Sequence, residues 1–134
     1  EDVIQFCFKN NLRGLEWASG LPSSVGGAVR GNAGAFGGEI KNSVYKAEVI
    51  DLNTGEVKVL GNQELRFSYR NSLIKQNKNL IVSTVFFKLE KTDEKGIEEA
   101  KKTYFDKIDY RKKYHPMDFP SSVRFLKTLQ RKKK

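Results

Sequence analysis

The stretch LPSSVGGAVRGNAGAFGGEI, Leu21 to Ile40, holds six glycines, three alanines and two serines in twenty positions. Glycine loses the most backbone freedom on folding, so such a concentration needs a cause. Either the main chain turns through conformations that a Cβ forbids, or something large comes close to it. The spacing is not the dinucleotide fingerprint G-x-G-x-x-G, and no Gly-Lys-Ser/Thr marks a phosphate loop of the Walker type. What remains is a run whose backbone N–H groups can meet an anionic or planar ligand beside a short helix, with Pro22 expected in its first turn. Tight packing and turns without a ligand explain the composition equally well.

On either side of this run the pattern is mixed. Residues 1–13 place Val3, Ile4, Cys7 and Phe8 at helical spacing, and Asn10-Asn11 read as a stop. Val44 to Leu52 alternates as a strand, Asn53-Thr54-Gly55 as a hairpin turn and Glu56 to Leu60 as the returning partner. GNQELRF (61–67) reads as a short helical turn, and LIVSTVFFKL (80–89) as the strongest strand. Thr92 to Lys113 reads as a long charged helix, capped by Thr92 and ended by His115-Pro116. Its expected buried face is Ile97, Ala100, Tyr104, Ile108 and Tyr110. The order predicts an α+β fold, with an internal boundary in the polar stretch Asn71 to Asn79.

Composition narrows the function. The chain of 134 residues carries a net charge of +9, yet residues 1–110 hold 16 Lys and Arg against 15 Asp and Glu, whereas residues 111–134 hold 9 against 1. The basicity belongs to the tail, which argues against a specific nucleic-acid face. No apolar run approaches the roughly 20 residues needed to span a bilayer, so no membrane role is expected. Cys7 is the single cysteine, which excludes an intrachain disulfide and a cysteine-based metal site and suits a cytoplasmic setting. His115, the single histidine, reads as a cap or loop residue, Trp17 and Phe36 as core, and Glu98-Glu99 as solvated.

Three segments in register carry a family likeness: Gly20-Leu21-Pro22-Ser23-Ser24-Val25-Gly26-Gly27-Ala28, Asn32-Ala33-Gly34-Ala35-Phe36-Gly37-Gly38-Glu39 and Tyr69-Arg70-Asn71-Ser72. They resemble, in order, the UDP-N-acetylenolpyruvoylglucosamine reductases of bacterial cell-wall synthesis, over about residues 1–121 and as far as HPMDFPS (115–121). The resemblance implies the second half of a two-part FAD-binding domain of the vanillyl-alcohol-oxidase type over residues 1–70. The start of an α+β substrate-binding domain would follow over 71–121, and a divergent basic tail over 122–134. It implies FAD and NADPH as cofactors, a UDP-sugar as substrate and the cytoplasm as location, and leaves the oligomeric state open.

By the same likeness Pro22, Ser23, Ser24, Gly26, Gly27, Asn32, Gly34, Ala35, Gly37 and Gly38 are the expected flavin contacts. Arg70 falls on the catalytic arginine, and Tyr69 is its neighbour in the substrate site. Ser122 stands near the family's proton-donating serine, beside its plainer reading as a loop serine, because the usual Gly-Ser-x-Phe-Lys-Asn-Pro is replaced by SSVRFLK. Ser23 replaces the usual glycine. The chain opens on Glu1 rather than Met. By the resemblance it lacks the first FAD subdomain and the part bearing the catalytic glutamate, so a fragment inactive by itself is expected. Two other readings stand beside this one: part of another FAD-dependent oxidoreductase with a related domain, and a non-enzymatic binding module using the basic tail.

Overall fold

A computed structural model describes residues 2–115; Ser122 and the tail fall outside them. The first helix, α1 (Asp2–Lys9), buries Ile4, Cys7 and Phe8 on one face. It stops where sequence placed the stop: Asn10 donates from its side chain to the Phe6 carbonyl at 2.8 Å, and Asn11 takes a left-handed φ of 56°. A two-residue strand, β1 (Leu12–Arg13), and a 3-10 turn (Glu16–Ala18) lead into the glycine-rich run.

Within that run α2 (Val25–Arg30) is capped by Ser24, whose Oγ accepts from the Gly27 N–H at 3.1 Å. Pro22 therefore lies before the helix rather than in its first turn, because the Ser24 hydroxyl supplies the cap two residues later. There follow β2 (Gly34–Ala35), β3 (Gly38–Glu39), a second 3-10 turn (Ile40–Asn42), β4 (Val44–Asp51) and β5 (Val57–Gly61). Residues 62–66 form turns, closed by the Leu65 N–H on the Gly61 carbonyl at 3.1 Å.

The polar stretch 71–79 contains a short helix, α3 (Leu73–Gln76). Ser72 caps it and Ile74 is buried, so the stretch is anchored rather than a free connection. Next come β6 (Leu80–Phe87), β7 (Glu90–Lys91) and the long α4 (Glu94–Tyr114). The cap of α4 is Asp93, accepting from the Gly96 N–H at 2.9 Å, one residue later than the expected Thr92. Ile97, Ala100 and Tyr104 are buried as the periodicity predicts. Tyr110 is not: it is half exposed and sets its ring edge against Phe36 at 5.7 Å.

The main sheet is antiparallel with order β5-β4-β6, so strands from both sides of residues 71–79 share it. Its central strand buries Val44, Ala47 and Val49 against α2, whose Val29 is fully buried, and beside Leu65 and Ile74. A second core forms where α1 meets α4, with Phe8 and Tyr104 edge to face at 5.7 Å. β1 pairs with β7 beside it, a contact too short to read from sequence. The mixed α+β class is as expected. No helix among the described residues is long and apolar enough to cross a membrane.

Two glycines of the same run should respond oppositely to a methyl group. A Cβ on Gly38 would overlap the Trp17 side chain, whereas one on Gly26 would sit 3.7 Å from Val82 in ordinary contact. Gly38→Ala is expected to cost about 1–3 kcal/mol through overpacking, and Gly26→Ala to cost nothing or stabilise slightly. Urea midpoints of the two variants test this; a Gly38→Ala midpoint equal to wild type would show that the indole moves aside freely.

Candidate functional site

The second half of the glycine-rich run folds as a tight hairpin. β2 and β3 pair Gly34 with Glu39 and Ala35 with Gly38, leaving Phe36 and Gly37 as a two-residue loop. Both have positive φ, 49° and 80°, the signature of a type I′ turn. Glycine fits such a conformation freely; phenylalanine does not, and Phe36 is held by the Tyr110 ring with the Arg111 guanidinium 5.1 Å from its centroid. Gly34 also has an internal cause. A Cβ there would lie 2.9 Å from the Gly38 carbonyl oxygen and 3.2 Å from Arg70 Nη1. Three glycines of the hairpin are thus explained by turn geometry and close packing, whereas nothing lies within 4 Å of a Cβ built on Gly37.

A second tight turn meets this hairpin. Ser68 and Asn71 exchange backbone hydrogen bonds at 3.1 Å each, and Tyr69 and Arg70 form the tip. Arg70 is left-handed there, with φ 55°. Its Nη2 donates to the Gly34 carbonyl at 2.7 Å and its Nη1 to the Asn32 carbonyl at 3.4 Å. Its Nε is buried without a hydrogen-bond partner. Among the described residues no carboxylate forms an ion pair with it. Tyr69 is 77% exposed, with its ring 5.5 Å from the Arg70 guanidinium.

Together residues 34–39, Asn32, Tyr69 and Arg70 line a cleft of about 400 Å³. Asn32 is 1% exposed, and its carboxamide faces the protein. Nδ2 donates to Glu39 Oε2 and to the Ser68 carbonyl, both at 2.8 Å, and Oδ1 accepts from the Lys41 N–H at 3.2 Å. The Asn32 hydrogen bond holds the Glu39 carboxyl below the usual carboxylate range; burial opposes this, and Lys41, 3.3 Å away, adds to it. Ser72, fully buried, donates to the Arg30 carbonyl at 2.7 Å and so ties the turn to the end of α2.

The structure therefore brings together Asn32, Gly34, Ala35, Gly37, Gly38, Tyr69 and Arg70. Pro22, Ser23, Ser24, Gly26 and Gly27 lie instead before or at the start of α2. Pro22, Ser23, Ser24 and Gly27 are exposed, and Gly26 lines a different, largely apolar hollow of about 500 Å³ bounded by Phe6, Cys7, Val82 and Phe87. Ser122 lies outside the described residues. Glu39 was not singled out from sequence, though it is the one acidic side chain of the glycine-rich run. Among the described residues no cluster of three or more His, Cys, Asp or Glu could hold a metal ion.

No protein-family model matches the chain. Among curated proteins, the UDP-N-acetylenolpyruvoylglucosamine reductase of Caldanaerobacter subterraneus is 42% identical over 120 residues, which cover 90% of this chain and 38% of that protein. The enzyme of the same name from Lactococcus lactis is 39% identical over 122 residues, 90% of this chain and 39% of its own length. The crystal structure of UDP-N-acetylenolpyruvylglucosamine reductase (MurB) from Thermus caldophilus superposes with a TM-score of 0.71 at 33% identity, covering 82% of this chain and 39% of that one. The chain spans about two-fifths of the length of the curated relatives it matches. It is homologous to these reductases over that span, and the family likeness read from its three motifs is borne out.

Acid should act on this site through Glu39. Its folded-state pKa is depressed, so its contribution to stability is present above the unfolded value of about 4.3 and is lost as pH falls through the lower folded value. Glu39→Gln is expected to flatten the fall in urea midpoint between neutral and acid pH. Superimposable pH profiles for the variant and wild type would refute the assignment.

Proposed function

We propose that this chain, homologous to part of the UDP-N-acetylenolpyruvoylglucosamine reductases, supplies one wall of their flavin site and the arginine that holds the substrate carboxylate. The observation that carries this reading is the meeting of Arg70 with the glycine-rich hairpin in one cleft. Gly34, Ala35, Gly37 and Gly38 offer main chain with little side-chain bulk, Phe36 standing at the loop against Tyr110. The Arg70 guanidinium hydrogen-bonds only to neutral carbonyl oxygens, although the Glu39 carboxylate lines the same cleft and feels its charge. Its buried Nε–H has no partner in the protein. No carboxylate among the described residues forms an ion pair with this cation, and a guanidinium without one gains from receiving an anion.

Pro22, Ser23, Ser24, Gly26, Gly27, Gly34, Ala35, Gly37 and Gly38 would hold FAD through backbone and hydroxyl groups, with Asn32 fixing the hairpin from within. Held there, FAD would supply the hydride-transfer chemistry between NADPH and the enolpyruvyl double bond of the UDP-sugar. Arg70 would bind the enolpyruvyl carboxylate, where negative charge grows during reduction, so that its attraction is stronger in the transition state than in the ground state. Tyr69, exposed beside it, would border the sugar. By the likeness alone, Ser122 stands near the place of the proton-donating serine, beside its plainer reading as a loop serine. Residues 1–70 then belong to the cofactor part and 71–121 lead towards the substrate part, with the β5-β4-β6 sheet continuous across the division. The setting is the cytoplasm, where this cell-wall precursor is made.

Two measurements test the reading. In a chimera carrying residues 1–115 in place of the matching segment of the Caldanaerobacter relative, Arg70→Lys is expected to lower turnover about 100-fold or more, because lysine keeps the charge but loses the planar fork. Near-parental turnover would exclude the role given to Arg70. The 134-residue chain by itself, offering one wall of the flavin site, is expected to purify colourless and to show no NADPH oxidation with the enolpyruvyl sugar. Stoichiometric micromolar FAD binding with turnover, by calorimetry and absorbance, would show that these residues suffice.

A further inference from the structure

The geometry points to Asn32 as a positioning residue of Arg70, whose buried side chain anchors the turn that carries the arginine. The tip of a two-residue turn is ordinarily the most mobile part of a hairpin, and an arginine side chain carries about 2 kcal/mol of rotamer entropy. Arg70 sits on such a tip in a left-handed conformation, which a β-carbon disfavours by about 1–2 kcal/mol. Something must hold it there. The turn is anchored at its first residue, where the Ser68 carbonyl accepts from Asn32 Nδ2 at 2.8 Å, and Lys75 Nζ donates to the Arg70 carbonyl at 2.8 Å. The guanidinium is met by the Gly34 carbonyl at 2.7 Å and, at 3.4 Å, by the main-chain carbonyl of Asn32 itself.

The second hydrogen of Nδ2 goes to Glu39 Oε2 at 2.8 Å and Oδ1 receives the Lys41 N–H. The carboxamide is therefore locked by the end of β3 and the 3-10 turn after it while it grips the turn that carries Arg70. No other side chain of this size suits the position. Two donors and one acceptor in a plane are needed, facing a carbonyl, a carboxylate and an N–H, and only a carboxamide has that inventory. An aspartate of the same shape would set a carboxylate against two acceptors at 2.8 Å, repelling the Ser68 carbonyl that it should hold.

This deepens the reading of Arg70 as the carboxylate-binding cation and rests on it for its functional meaning, but the placement is read without flavin, substrate or turnover. The probe is the Arg70 side-chain Nε–Hε resonance in the 134-residue chain labelled with ¹⁵N-arginine, assigned by its loss in Arg70→Lys. In wild type it is expected to stand apart from the cluster formed by solvent-exposed arginines. In Asn32→Asp it is expected to collapse into that cluster while the backbone amides of β4 and β6 keep their positions. A separate, unshifted Arg70 resonance in folded Asn32→Asp would overturn the inference.

Should Asn32→Asp fail to fold, Glu39→Ala and Glu39→Gln decide instead. The alanine frees one side of the carboxamide and is expected to move the Arg70 resonance towards the cluster. The glutamine keeps an acceptor in place and is expected to leave it apart. An identical response to both would equally sink the idea. The two readings fail separately: an unmoved resonance with Arg70→Lys still crippling the chimera removes the positioning role alone. A collapsed resonance with a fully active Arg70→Lys chimera removes the catalytic role alone.

Discussion

The contact on which the hairpin of the candidate cleft depends is the indole of Trp17 laid against the bare backbone of Gly38. Trp17 sits on the 3-10 turn that packs beside α4, and Arg111 of α4 donates to the Ser19 carbonyl at 2.8 Å just beyond it. Its neighbour Ala18 touches both hydrophobic cores. Gly38 belongs to the strand behind the candidate cleft. The 3-10 turn beside α4 and the β2-β3 hairpin are therefore joined through a contact with no room for one more carbon atom. Removing a β-carbon from one strand lets a large ring come close enough to brace the hairpin that meets Arg70.

Much of this was legible in the sequence, for identifiable reasons. Helices α1 and α4 announced themselves because Ile4, Cys7, Phe8 and Ile97, Ala100, Tyr104 repeat at helical spacing and have a core to face. The strands β4 and β6 did so because their β-branched and apolar residues fill a sheet buried on one side. What escaped was local or reciprocal. β1 and β7 are two residues each, too short for any periodicity. The helix α3 hides in a polar stretch because a single side chain, Ile74, carries its burial. Tyr110 continued a helical stripe on paper, yet at that end of α4 the neighbour is the exposed loop at Phe36 rather than a core.

The candidate site divides in the same way. The motifs named Arg70 and the glycines of the hairpin, and the fold brings these together across more than thirty residues of chain. They could not reveal that Asn32 turns its side chain inward, because that depends on where the Ser68 carbonyl and the Glu39 carboxylate arrive after folding. Nor could they separate glycines required by close packing from one required by its backbone conformation. Gly34 and Gly38 answer to close packing, and Gly37 to its φ of 80° in open space. Asn32, Phe36 and Arg70, all left-handed without being glycine, line the same cleft. Conformations of this kind cost about 1–3 kcal/mol each and persist only where surrounding contacts impose them. Their concentration in one place marks the cleft as the part of the molecule whose shape is most strongly dictated from outside itself.

The seat of Trp17 also gives the molecule a built-in optical reporter. It is the sole tryptophan of the chain, so the red-edge fluorescence of the protein comes from one indole. That indole is 8% exposed, with its N–H buried and unpartnered, which sets it for blue-shifted emission. It lies directly behind the strand that forms the back of the cleft. Any event that pries β3 from its support, whether heat, acid or a bulky guest, admits water to the ring and shifts its light to the red. Any event that stiffens the hairpin leaves the spectrum sharp. The hairpin can therefore be watched from the inside without attaching a dye.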